Sequence, residues 1–186
     1  MAMVSEMRIP GADAPGKERF NYRGMHRYLI TLLPHPAAGT IAGSETVRST
    51  LDALSAACRT HAFEVYAYCF LPDRLVLLVR GREETSDMKL FLAEFRAASA
   101  AAHQERTGKR LWSKKYRERV LRKTEVTRAV AEEIFRLPVN AGLAASPAGY
   151  AWQGSFVLAG VPPPRRQGAP GRRFTGKRSP RPVRRH

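Results

Sequence analysis

An α+β fold of the ferredoxin-like kind, β-α-β-β-α-β with a four-stranded antiparallel sheet, an additional C-terminal helix and a disordered basic tail, is what this 186-residue chain predicts. Three observations carry that expectation. Residues 65–79, VYAYCFLPDRLVLLV, read as two short strands joined by a Pro-Asp turn. Two stretches of helical periodicity flank this hairpin, and each is preceded by a serine suited to cap it. Alternating segments stand at both ends of the pattern, and the whole order occurs once, without internal repeats.

The elements follow in order. Residues 25–33 alternate, with Tyr28, Ile30 and Leu32 on one side and Arg27, Leu29 and Thr31 on the other, and Pro34 and Pro36 end the strand. Ser44 caps a helix to about His61, with Val47, Leu51, Leu54 and Cys58 along one face. In the hairpin, Val65, Ala67 and Cys69 share one face and Tyr66, Tyr68 and Phe70 the other, while residues 75–79 form an apolar run suited to a central strand. Ser86 caps a second helix to about Glu105, with Met88, Leu92, Phe95, Ser99 and Ala102 as its buried stripe and Gly108 closing it. Residues 116–122 form a fourth strand. Thr124 then caps a last helix carrying Val126, Val130, Ile134 and Leu137, which Pro138 stops. The domain is expected over residues 23–157. Residues 1–22 and 158–186, rich in Pro, Gly and charge, bury too little apolar surface to offset chain entropy and are expected to be disordered.

Charge is the unusual part of the composition. The net charge is +16, and residues 161–186 hold nine Lys or Arg and no acid, which leaves +7 on residues 1–160 (23 basic, 16 acidic). Such an excess on both the core and the tail favours a polyanion, because each phosphate neutralised releases condensed counterion. Residues 109–128 concentrate the signal, with nine Lys or Arg against Glu118 and Glu125. Lys109, Arg110, Lys114, Lys115, Arg117, Arg119 and Arg122 are candidate phosphate contacts there, and Tyr116 is a candidate stacking partner for an unpaired base. Trp112 is expected in the core. Cys58 and Cys69 lie eleven residues apart with no Cys-x-x-Cys pattern, and the five histidines show no i+2 or i+4 pairing, so no zinc site assembles from sequence neighbours. Neither a signal-peptide core nor a membrane-length apolar run is present, and a cytoplasmic, nucleoid-associated protein is the expectation.

The hairpin, the segment 111–122 (LWSKKYRERVLR), the segment 138–143 (PVNAGL) and the closing 146–152 (SPAGYAW) together resemble the single-tyrosine HUH transposases, most closely their REP-associated branch. The similarity covers about residues 25–155, with the motifs in order. In that family the second hairpin strand opens with His-hydrophobe-His, and the period of two sets both imidazoles on one face to hold a divalent cation against a scissile phosphate. Here those positions are Arg74 and Val76. The family's nucleophilic tyrosine precedes the signature proline by five residues, and a polar Asn or Gln stands immediately before it. Here those are Glu133 and Leu137. The resemblance thus implies a transposase-like scaffold without metal ligands or nucleophile: no retained cofactor, where the family uses Mg or Mn, and no catalytic residues. Arg74 is expected to place fixed positive charge where the cation would sit.

The implied partner is DNA, single-stranded or in a hairpin, with a homodimer implied by the family alone and no membrane. Two other readings remain open at this point: an active or atypical single-strand transposase using a different tyrosine such as Tyr116, and an RNA-binding module on the same sheet topology, for which the RNP-type aromatic run is absent.

Overall fold

The computed structural model describes residues 20–158. The elements run β1 (Arg27–Pro34), α1 (Ser44–Thr60), β2 (Phe63–Leu71), β3 (Arg74–Gly81), α2 (Met88–Thr107), β4 (Trp112–Val120), α3 (Thr127–Asn140) and a two-residue β5 (Gln153–Gly154), with single 3-10 turns at Pro36–Ala38 and Pro147–Gly149. The strands form one antiparallel sheet in the order β4-β1-β3-β2-β5. The first four stand in the ferredoxin-like order expected from the sequence. The fifth was not anticipated as a strand: Gln153 and Gly154 pair with Cys69 and Tyr68 and extend the sheet beyond β2. The two terminal segments expected to be disordered lie largely outside the described residues, though Tyr22 already packs on the core.

Because side chains alternate along a strand, the sheet buries two separate apolar faces. Tyr28, Ile30 and Leu32 of β1, Leu75, Leu77 and Val79 of β3, and Tyr68 and Phe70 of β2 meet α1 and α2. Ala67, Cys69, Leu71, Val76 and Leu78 point the other way and are covered by Val130, Ala131 and Ile134 of α3. A central strand covered on both faces explains why 75–79 is continuously apolar. One expectation fails here. Val65 does not share a face with Ala67 and Cys69; it opposes Val79, while Ala67 opposes Leu78, so Tyr66 is an extra residue in a bulge that sends Val65 into the larger core.

The helix ends also differ from the expected caps. α1 begins at Ser44 with Gly43 as its N-cap. α2 is capped by Asp87, whose carboxylate accepts from the Lys89 and Leu90 amides at 2.9 and 3.2 Å. Ser86 is buried instead in the turn before it, donating to the Ala62 carbonyl at 2.8 Å. α3 starts after Val126, which is exposed, and runs through Pro138 to Asn140. Its true stop is Gly142: at φ 69° it lets its own amide reach the Val139 carbonyl and the Leu143 amide reach that of Pro138, a Schellman ending. Gly108, also left-handed, closes α2 as expected.

Trp112 is buried, and its indole N–H donates to Ser99 Oγ at 2.8 Å, tying β4 to α2. Tyr150 donates to the Phe70 carbonyl at 2.7 Å and the Phe70 amide donates to that of Trp152, so the closing segment is pinned along β2.

Candidate nucleic-acid interface

The face of the sheet that α3 covers is not filled to its edge. α3 docks mainly over β2 and β3, held by Val130, Ala131 and Ile134. Toward β1 and β4 a cleft of about 430 Å³ opens between helix and sheet. Its walls are apolar, from Leu29 and Leu33 of β1, Val76 of β3, and Val130, Ile134 and Leu137 of α3, with Thr31 on its floor. Arg74, Arg117 and Glu133 are its charged lining.

Register explains how these residues converge. Thr31 pairs with Val76 on one side and with Arg117 on the other, so the three form a row across adjacent strands. Arg74 lies two residues before Val76 and shares its face. On the helix, Val130, Glu133, Ile134 and Leu137 are spaced to share one side. Arg74, Val76, Glu133 and Leu137, scattered over sixty-odd positions of sequence, thereby line one cavity.

The charges in the cleft have unequal partners. Arg74 bonds Asp73 at 3.0 Å across an exposed turn. Among the described residues, neither Arg117 nor Glu133 stands within 4.0 Å of an opposite charge, although both line the same space. Arg119 lies on the same face, next to Leu29, but its guanidinium is occupied by both oxygens of Glu125 at 2.7 and 2.8 Å. These bonds, and then the Arg122 amide, hold the Glu125 carboxyl below its ordinary range.

Arg27, which sequence reasoning set on a strand face without a role, organises the helix entry. It donates to the carbonyls of Glu125 and Arg122 at 2.6 and 2.8 Å and to Thr127 Oγ1 at 2.8 Å. The loop that aims α3 over the sheet is thus fastened to β1. No local signal could have shown this, since the partners lie almost a hundred residues away.

The remaining candidates fall elsewhere. Tyr116 is half-buried on the opposite face, opposite Leu32, with the Lys89 ammonium 5.6 Å and the Arg96 guanidinium 5.2 Å from its ring centre. Lys114 and Lys115 are exposed on the outer strand β4, and Lys109 and Arg110 are exposed in the loop before it. Arg122 is exposed just beyond the strand end. The structure therefore brings together Arg74 and Arg117, sets Arg119 beside them in an ion pair, and distributes the others along the β4 edge.

A divalent cation does not suit the residues present. Arg74 is a permanent cation without a lone pair and Val76 offers no donor atom. Among the described residues no group of three His, Cys, Asp or Glu side chains could hold a metal ion. Cys69 pairs with Val76 under α3, and burial pushes its thiol up to about 12, an effect that the Arg74 charge only partly offsets, so it stays protonated. None of the six tyrosines lines the cleft. Tyr150, the one that seals the closing segment, has its hydroxyl pushed up to about 12, chiefly by burial.

No family model and no curated protein matches the chain in sequence. Solved structures match it in fold. A REP-associated tyrosine transposase bound to a REP hairpin superposes with a TM-score of 0.60 at 17% identity, over 75% of this chain and 82% of that one. The fold is that of a REP-associated tyrosine transposase. A candidate transposase from Deinococcus radiodurans R1 also aligns, with a TM-score of 0.45 at 20% identity over 63% of this chain and 93% of that one. Among the described residues no helix is long and apolar enough to cross a membrane.

Proposed function

We propose that this protein is a transposase-family DNA-binding protein that holds single-stranded or hairpin DNA along the cleft between β1, β4 and α3 and does not cut it. The observation that carries the reading is the lining of that cleft. It offers two guanidiniums and apolar walls for a strand, with no tyrosine and no imidazole among the described residues. Arg74 and Arg117 attract phosphate, and the exposed Lys114, Lys115 and Arg122 extend the positive track along the sheet edge. Glu133, where the resemblance expects the nucleophile, would repel a developing phosphorane rather than attack it. The basic tail, outside the described residues, adds sequence-independent phosphate contacts and raises affinity more than specificity. A homodimer and association with the nucleoid belong to the same proposal.

The test is comparative binding of the full chain to matched DNA and RNA hairpins at one fixed salt concentration. The reading expects the DNA hairpin to bind at least as tightly as the RNA one. Exclusive binding of RNA, or of neither, would overturn it.

A further inference from the structure

A single carboxylate stands in an otherwise cationic cleft, and it is the feature that phosphate binding leaves unexplained. Glu133 lines the same cavity as Arg74 and Arg117, yet among the described residues it pairs with neither. Next to a nucleic-acid backbone it costs affinity, since it repels every phosphate it meets. A carboxylate beside nucleic acid gains from hydrogen-bond donors, and in DNA those lie on base edges. The cavity meets the other needs of a base. At about 430 Å³ it falls in the range of small-molecule sites. Its walls are the aliphatic side chains of β1, β3 and α3, which accept the faces of a planar ring. The two arginines lining it are placed for the phosphates that flank such a base.

We infer that the cleft takes one unpaired guanine of a bound DNA strand, with the Glu133 carboxylate accepting from its Watson–Crick edge. Guanine presents two neighbouring donors there, N1–H and the 2-amino group, and an ionised carboxylate has two acceptor oxygens to meet them in parallel. Thymine offers one donor between two acceptors, and adenine and cytosine each set a ring-nitrogen acceptor beside their amino donor. Each would bring a lone pair against the carboxylate. The inference rests on the proposed DNA-binding reading and adds base selection to it.

The experiment uses the full chain and fluorescence anisotropy with nine-nucleotide thymidylate strands whose central residue is thymine, guanine, adenine, cytosine or hypoxanthine. The guanine strand is expected to bind about fivefold or more tightly than the thymine and adenine strands. Hypoxanthine, which keeps N1–H and lacks the 2-amino group, is expected to fall between. Glu133 is exposed on α3, so Glu133→Ala leaves the fold intact. This variant is expected to lose the guanine preference while keeping or improving affinity for plain thymidylate. Equal affinity of the wild type for all five strands, or a guanine preference that survives Glu133→Ala, would overturn base selection and leave the DNA-binding reading standing. Absence of binding to every strand and to the hairpin would overturn both.

Discussion

Replacing both cleft arginines by alanine should flatten the salt dependence of DNA binding by a calculable amount. Each phosphate neutralised on a single strand contributes about 0.7 to the slope of log affinity against log salt. Two lost contacts lower that slope by about 1.4, so over a fourfold rise in salt the double variant should lose about sevenfold less affinity than the wild type does. The two residues are not equivalent. Arg117 has no acidic partner among the described residues, whereas Arg74 is shared with Asp73 at 3.0 Å, so Arg117→Ala should account for the larger part. Arg48 is the control, since it is exposed on α1, across the sheet from the cleft, and paired with Glu45. The assay is anisotropy of a labelled single strand at four salt concentrations between about 50 and 200 mM. An unchanged slope in Arg74→Ala/Arg117→Ala, or an equal change in Arg48→Ala, would refute the argument that this cleft meets the backbone.

Three further outcomes test the scaffold. Trp112→Phe removes the indole donor to Ser99 and should cost about 1 kcal/mol in urea unfolding, with DNA affinity unchanged. Gly154→Ala would drive a methyl group into the buried Tyr68 ring and hydroxyl at the β2–β5 contact, and a loss of about 1–3 kcal/mol is expected by the same measurement. Glu125, whose carboxyl titrates below its ordinary value of 4.5, stabilises the α3 entry fully above that value and loses its contribution as pH falls through the depressed one. Glu125→Gln should therefore lower the melting temperature at pH 6, by an amount worth at most about 1 kcal/mol, and the gap from wild type should narrow toward pH 3.

How far the residues alone foretold this molecule depended on the range of the interactions involved. Four strands, three helices and their order were readable, because alternation and helical stripes are local consequences of burying one side of an element. The bulge at Tyr66 was not: an extra residue leaves no mark on composition, and Val65 is apolar enough to suit either face. Helix starts were misjudged by a residue or more at Ser86 and Thr124 because small polar residues cluster near the ends of helices, and only geometry tells Asp87, which receives two amides, from Ser86, which turns inward. Pro138 misled for a different reason. In the last turn its missing N–H costs one bond and its ring is buried, so the helix runs on to Asn140 and Gly142 closes it.

The candidate site was partly legible. Arg74, Val76, Glu133 and Leu137 were singled out through resemblance to a family, and the fold gathers them in one cavity. Arg117 was one basic residue among nine in its stretch, and nothing local separated it from Tyr116, which alternation sends to the other face. The roles of Thr31 in the floor and Arg27 at the helix entry depend on pairings across the sheet and on a loop far along the chain.

In the proposed function, the cleft binds a DNA strand without breaking it. The direct measurement is incubation of the full chain with a labelled hairpin carrying single-stranded flanks, in magnesium or manganese, resolved side by side on native and denaturing gels. A shifted complex is expected on the native gel and only intact, protein-free oligonucleotide on the denaturing one. A shortened strand together with a protein-linked 5′-phosphotyrosine product would contradict it.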